Sequence, residues 1–462
     1  MGIVSLCAGV AGLSASLPDI TGAPMRREQI NKRICELLNR RMPFVWGVAD
    51  QAIVSGCSLF LTLVLANALD VQSFGRFSIA WAFLILLESV LFRGLFDDGL
   101  PAVAHRVASS RWPQLRASLY VASIGTSGLF GVAFVVAGLV ALSFHFDHAA
   151  LLIATGTAIP STRLQSVFRR IGYLDGRLRR VVSGALIYAV VLAGSAAAMI
   201  WLQLTSAAAA MACVALSSAA AGLFGLVYAA GLAKPHRRVL TWLITRLLRE
   251  GRWFAATSLT YWISSIGLIP LCGLLIGLEA SASLRLMLVV FAPLSQLNAS
   301  LLSVKLPGAA LTLRHNDRAM FLSLTRSNAM QFGGLSALYG VAAALLGVPI
   351  LAWLVSDRGF DVSEVNMALM ALAMSLDGIW LGLALPLFAV GRPQQFLASR
   401  ITGLAVLCLS LPVGTYAWGV AGVIGAMVLS SAASVGVLGT RLVRLETPKP
   451  IVASSLYSDR IS

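Results

Sequence analysis

Three ionisable residues, Glu88, Arg93 and Asp97, fall within ten positions of an otherwise apolar stretch. A guanidinium in such surroundings can take an anionic group bidentately, while carboxylates beside it tune its field. The same residues can instead satisfy one another. Arg93 and Asp97 are four apart on one helical face, and Asp50 lies at a similar depth on the preceding apolar run. An anion-binding cation flanked by Glu88 and a paired cluster joining two helices both fit the pattern. Asp377 poses a related problem, since it sits mid-run with no cation within four residues. It must face water, take up a proton as an ion-coupling carboxylate does, or find a partner on another helix. Arg285 and Lys305 complete the candidates, each near an end of its run, where a lysine can also simply snorkel. Gln296 and Asn298 suit interhelical hydrogen bonds.

The elements that hold these residues must be membrane helices. Of 462 residues, 58% are hydrophobic and 12% charged, with a mean hydropathy of +0.85. A soluble chain carries about 25% charged residues, so too little polar surface exists here to coat a water-soluble globule. The reading is an all-α polytopic membrane protein, and soluble enzyme folds are excluded. Twelve apolar runs are long enough to span, at about 45–68, 75–96, 117–142, 149–168, 181–202, 207–233, 253–278, 284–306, 328–355, 364–390, 396–416 and 419–440. The fourth is interrupted by Pro160, Arg163 and Arg169. Pro270, Pro293, Pro349 and Pro386 fall inside runs, where broken backbone can mark hinges or cavity walls. On this assignment 31 of the 35 Lys and Arg lie on one side, against Arg76, Arg285 and Arg358 on the other, with Arg93 inside a span. That bias puts both termini in the cytoplasm. It also accounts for the net charge of +16 without nucleic acid.

The expected organisation is a cytoplasmic segment 1–44, a six-helix bundle 45–233, a basic amphipathic linker 234–252, a second bundle 253–443 and a tail 444–462. Ile30, Ile34, Leu37 and Leu38 share a helical face ringed by Arg27, Lys32, Arg33, Arg40 and Arg41, as in a helix lying on the membrane surface. The stretch 237–252 has the same character. Met25, followed by Arg26 and Arg27, is an alternative start to Met1. An internal repeat links the bundles: Leu69-Asp70-x5-Arg76-Phe77 matches Leu278-Glu279-x5-Arg285-Leu286 at an offset of 209 residues. Six spans lie between the copies, so the halves are parallel repeats. Alternating-access transporters share this design, with the substrate between the halves.

Signs of catalysis are missing. No glycine-rich phosphate loop, HExxH or GxSxG occurs, and the non-cytoplasmic connections are too short for an external catalytic domain. The six cysteines are scattered without CxxC spacing, and no Cys/His cluster suggests a metal. No cofactor is expected.

The run Trp46-Gly47-Val48-Ala49-Asp50-Gln51 through Ser55-Gly56, then Leu65-Ala66-Asn67-Ala68-Leu69 and Phe74-Gly75-Arg76-Phe77, resembles the opening of the Wzx-like polysaccharide flippases. These belong to the multidrug/oligosaccharidyl-lipid/polysaccharide (MOP) exporter superfamily. Gly251-Arg252-Trp253 through Leu284-Arg285 to Ala292-Pro293-Leu294 resembles its seventh and eighth spans, with Leu286-Met287-Leu288 where many relatives are polar. The resemblance implies about twelve helices in two MATE-like six-helix bundles around a cationic cavity. It implies a polyprenyl-pyrophosphate-linked oligosaccharide as substrate, flipped for exopolysaccharide, O-antigen or capsule synthesis. Partners would be bilayer lipid and a polysaccharide polymerase and co-polymerase. Arg93 is then the first expected pyrophosphate contact, Arg285 the second and Lys305 a contact at the cytoplasmic entrance. A drug or cation antiporter of the same superfamily, a membrane glycan polymerase or ligase, and a non-transporting scaffold are the alternatives.

Overall fold

The computed structural model describes residues 27–97, 111–228, 237–312, 318–355, 360, 362–390 and 393–444. Regular structure among them is helical throughout. In chain order come α1 (Arg27–Ala68), α2 (Val71–Leu86) running on into a π-helical segment (Leu87–Asp97), α3 (Trp112–Ser143), α4 (Ala149–Leu174), α5 (Leu178–Trp201) and α6 (Ala207–Tyr228). The second half holds α7 (Arg237–Ser264), α8 (Leu268–Leu275), α9 (Leu278–Val290), α10 (Ala292–Thr312), α11 (Arg318–Leu354), α12 (Glu364–Val390) and α13 (Pro393–Arg444).

Among the described residues, nine helices are long and apolar enough to cross a membrane, and α9 with α10 forms a tenth span bent by 46°. Pro293 causes that bend, because it cannot continue the hydrogen-bond ladder through Phe291. Two more spans bring the number to the expected twelve. α13 is two helices, broken at Gly419 where φ is 54°. Gly414 and Gly422 there meet backbone to backbone, although eight residues of continuous helix would hold them about 12 Å apart. The chain therefore doubles back. α4 is the other addition: its 26 residues reach about 39 Å, but Thr, Ser and Arg side chains lower its hydropathy. Packing against α3 and α6 buries Thr155 and Arg163 among them.

Within the first half, α3, α4, α5 and α6 pack in succession and α5 carries α1; within the second, α12 lies between α11 and α13. The halves meet mainly in two places: α7 packs on the π-helical segment, where Gly94 lies against Ala255 and Gly251 against Leu95, and α2 packs on α9, the helices that open the two copies of the repeat. Asp70 caps α2, its carboxylate accepting the Ser73 N–H at 2.8 Å. α9 begins instead after Gly277, whose φ of 141° suits glycine, and carries Glu279 in its first turn. Gly75 lets the helices touch, since a Cβ there would strike the Leu278 carbonyl. Nearby, Asn67 Nδ2 donates to the Leu354 carbonyl at 2.7 Å, and Phe74 meets Phe360 edge-on at 5.8 Å. The Asp70 end of the molecule is thus closed by contacts between the repeats.

The two amphipathic stretches depart from expectation. α1 is one unbroken helix of 42 residues, about 63 Å, so 27–44 prolongs the first span instead of forming a separate surface helix. In α7, Leu243 and Leu247 are fully buried against Phe96, Leu115, Leu119 and Ile171. That apolar face covers protein, whereas the sequence had suggested lipid headgroups.

Candidate functional site

Burying a charge is costly without a partner, so the partners of each intramembrane charge decide what it can do. The carboxylates come first. Glu88 opens the π-helical segment and lies 3.7 Å from Arg163, whose side chain has no exposed surface. Arg163 also donates to Ser123 Oγ at 3.1 Å and sits 5.0 Å over the Phe92 ring. Asp50, fully buried on α1, accepts on Oδ2 from Arg169 Nη2 and from the Tyr173 hydroxyl, both at 2.6 Å. Its other oxygen, Oδ1, is buried without a hydrogen-bond partner. Asp377, mid-way along α12, accepts from Arg400 Nη1 at 2.9 Å and from the Ser431 hydroxyl at 3.3 Å. Arg400 is sandwiched by Trp380 at 3.7 Å and Tyr261 at 5.3 Å.

These pairings differ from the expected ones in their cations. Arg163 and Arg169, which the sequence placed at or beyond the cytoplasmic end of span four, lie about 21 and 30 Å along α4 from its start. Arg400, assigned to a connection, is buried seven residues into α13. Asp50 therefore pairs with Arg169 and not with Arg93. The wider π winding turns Arg93 from the face it would hold in an α-helix, and its side chain is exposed. The side chain of Asp97 lies outside the described residues.

Of the three cations expected at the site, Arg285 and Lys305 have only neutral partners among the described residues. Arg285, expected at the edge of its span, lies inside α9 and is 7% exposed. It reaches into the first repeat, with its guanidinium carbon 5.2 Å over the Trp81 ring and Nη2 3.5 Å from the Thr62 hydroxyl. Its Nε is buried and unbonded. Lys305 on α10 donates to Asn328 Oδ1 at 3.0 Å and to Gln331 Oε1, both on α11. One turn and more away, Asn298 donates to Ser336 at 3.2 Å, the interhelical bond its type suggested. Chemically, the arrangement leaves two positive centres with no anionic partner among the described residues, and one of them joins the repeats. No group of three or more His, Cys, Asp or Glu among the described residues could hold a metal ion.

No protein-family profile matches the sequence, and no curated protein sequence is similar to it. Solved structures are similar in fold. A lipid II flippase, MurJ, in an inward closed conformation superposes with a TM-score of 0.64 at 12% identity, over 86% of this chain and 87% of that one. The eukaryotic MATE transporter AtDTX14 gives 0.59 at 15% identity, over 90% and 99%. An inward-facing multidrug resistance MATE transporter of the MOP superfamily gives 0.55 at 14%, over 87% and 94%. The chain has the fold of the MOP exporters.

Proposed function

We propose that this chain flips a polyprenyl-pyrophosphate-linked oligosaccharide from the cytoplasmic to the periplasmic leaflet of a bacterial inner membrane, by alternating access, for surface polysaccharide synthesis. The observation that carries the reading is the charge balance. Asp50, Glu88 and Asp377 each face an arginine, whereas Arg285 is buried between the repeats with no carboxylate beside it among the described residues. An interior with surplus buried cation suits an anionic cargo. A guanidinium matches pyrophosphate oxygens bidentately, and a water-poor setting strengthens the contact.

The distribution of Lys and Arg orients the Asp70 end toward the periplasm and both termini toward the cytoplasm. With that end closed, release of cargo to the periplasm requires the contacts between α2 and α9 to part. Lys305, near the cytoplasmic end of its span, and exposed Arg93 serve as earlier contacts, with Glu88 five residues before Arg93 on the π-helical segment. Arg285 is the deeper one. The lipid tail stays in the bilayer while the glycan crosses between bundles 45–233 and 253–443. No covalent bond changes, so the chain acts as a transporter and not an enzyme. A polysaccharide polymerase and co-polymerase would take the product.

A cation or drug antiporter is the second reading, supported by Asp50 Oδ1, a buried carboxylate oxygen with no bond, and by the fold shared with MATE transporters. One experiment separates the two. In a strain lacking this chain but retaining its priming sugar transferase, lipid-linked oligosaccharide is extracted and tested in spheroplasts for access to an external glycosidase. Accumulation of the complete unit, shielded inside, is the expected result. Complete units exposed outside would overturn the flippase reading.

A further inference from the structure

Arg285 and its two partners lie just under the closed end of the molecule. Along their helices, Thr62 stands about 9 Å from the end of α1, Trp81 about 15 Å from the start of α2, and Arg285 about 10 Å from the start of α9. Above them are the Gly75–Leu278, Phe74–Phe360 and Asn67–Leu354 contacts that seal the repeats together. The guanidinium is therefore tied to the opposite repeat by an aromatic face at 5.2 Å and a hydroxyl at the outer edge of hydrogen-bond distance. For a buried cation these are weak partners. A phosphate offers opposite charge and two acceptor oxygens in the geometry of the guanidinium fork, and takes it in preference.

We infer that Arg285 is a latch between the repeats, held shut by Trp81 and Thr62 and released when a phosphate group takes its guanidinium. The inference rests on the proposed substrate and adds how its arrival opens the far side. A ligand shifts a two-state equilibrium only by binding one state better than the other. In the closed state a phosphate must first displace Trp81 from Arg285; once the repeats part, nothing competes. The differential affinity that alternating access requires thus resides in one contact, and Trp81 is a positioning residue that acts through Arg285.

Gln72 and Glu279, from opposite repeats, line a single pocket of about 480 Å³ at the closed end, together with Ser283 and Val420. Gln72→Cys with Glu279→Cys, in a chain whose six native cysteines are replaced, reports closure as a cross-linking rate in proteoliposomes. The probes are polyprenyl pyrophosphate carrying no sugar and, separately, inorganic pyrophosphate, which distinguishes lipid-borne from free phosphate. With the lipid probe the parent is expected to slow about fivefold or more, and with the inorganic one less. Trp81→Leu should slow about tenfold without ligand, as expected for loss of a desolvated cation–π contact, and then respond less than twofold. Trp81→Phe, which keeps an aromatic face, should regain the response. Thr62→Val, a small change of volume, gives a second and milder opening if Trp81→Leu fails to fold. Ligand-free cross-linking and ligand response equal to the parent in Trp81→Leu and Thr62→Val would overturn the latch. A variant that opens beside a parent indifferent to both probes would keep the inter-repeat tie but overturn phosphate as its release, which is failure of the substrate reading.

Discussion

Arg400 donates to Asp377 at 2.9 Å across the α12–α13 interface while its guanidinium lies 3.7 Å over Trp380. Both charged side chains are largely withdrawn from solvent, so each depends on the other. Removing one partner of such a pair leaves an uncompensated buried charge, at a cost of about 3–5 kcal/mol, whereas replacing both can be near neutral. Arg400→Ala should therefore lower the thermal midpoint in detergent by several degrees, and Asp377→Asn with Arg400→Gln should recover most of it. Arg400→Lys should stay impaired, because an ammonium lacks the planar face that stacks on Trp380.

The Glu88–Arg163 pair is lopsided in a way that a stability measurement can read. Arg163 is wholly enclosed, but the Glu88 side chain keeps 29% of its surface. If Arg163 loses the Glu88 carboxylate it cannot rehydrate, although Ser123 and the Phe92 ring stay beside it. Glu88, left alone, can turn toward water. Glu88→Gln keeps a hydrogen-bonding side chain beside Arg163 and should cost about 1–2 kcal/mol. Arg163→Leu, by contrast, removes every polar contact of the enclosed guanidinium and should shift the midpoint little if Glu88 does rehydrate. Arg163→Gln, polar but too short to reach, should be the worst of the three.

The sequence made the residues legible and left their pairings open. Asp50, Glu88 and Asp377 stand out because charge is rare in apolar runs, and the repeat around Asp70 and Glu279 pointed to α2 and α9, which do meet. The cations were harder to place. Arg163 and Arg169 lower the hydropathy of α4, so a search for apolar runs pushes them to its end. Arg400 falls where a run is just beginning. Helical spacing identifies neighbours on one helix, but Asp50–Arg169 and Asp377–Arg400 join different helices, and side-chain periodicity carries no information about that. Three arginines in one helix, Arg163, Arg169 and Arg170, were the available signal, since membrane charges pair. The π winding after Leu87 had no such signal, and it altered where Arg93 points.

Asp70 gives a pH-dependent handle outside the membrane core. Partial burial raises its carboxyl, but bonds from the Ser73 side chain and from backbone N–H groups of Ser73 and Gln72 outweigh that and hold it below the ordinary value. A depressed carboxyl contributes its cap in full above the unfolded value of about 3.9 and loses it as pH falls through the folded one. Protection of the Ser73 amide against hydrogen exchange should therefore persist as pH is lowered to about 4 and fall below it. Asp70→Ala should abolish it at every pH, with a loss of about 1 kcal/mol, while Asp70→Asn should keep the cap and remove the pH dependence.

Gly75 is a point of close approach between α2 and α9. A methyl group there would overlap the Leu278 carbonyl, which is backbone and cannot rotate away. Gly75→Val should prise the helices apart and raise hydrogen exchange in 64–78 and 278–286, leaving 364–390 unchanged. Gly56, where an added Cβ meets nothing, supplies the matched control: Gly56→Ala should leave both segments as protected as in the parent.

The charge balance orders three cations by what their loss should do to export. Arg285 is enclosed with no carboxylate beside it among the described residues, Lys305 has two amide partners, and Arg93 is exposed. A charged hydrogen bond to an anion is worth about 1.5–3 kcal/mol, so Arg285→Ala should cut polymer export in a complemented deletion strain by about tenfold to a hundredfold at equal protein levels. Arg285→Lys retains the charge but not the fork, and should fall between parent and Ala. Lys305→Ala should lose about threefold to tenfold, because Asn328 and Gln331 remain as polar contacts. Arg93→Ala should be the mildest, since its side chain is exposed and burial adds least to any contact it makes with an anion. Full export from Arg285→Ala beside a null Arg93→Ala would move the phosphate contact to the π-helical segment, where the sequence first placed it. Loss of the substrate glycan from the outer face in Arg285→Ala, with lipid-linked units building up inside, would fix it on α9.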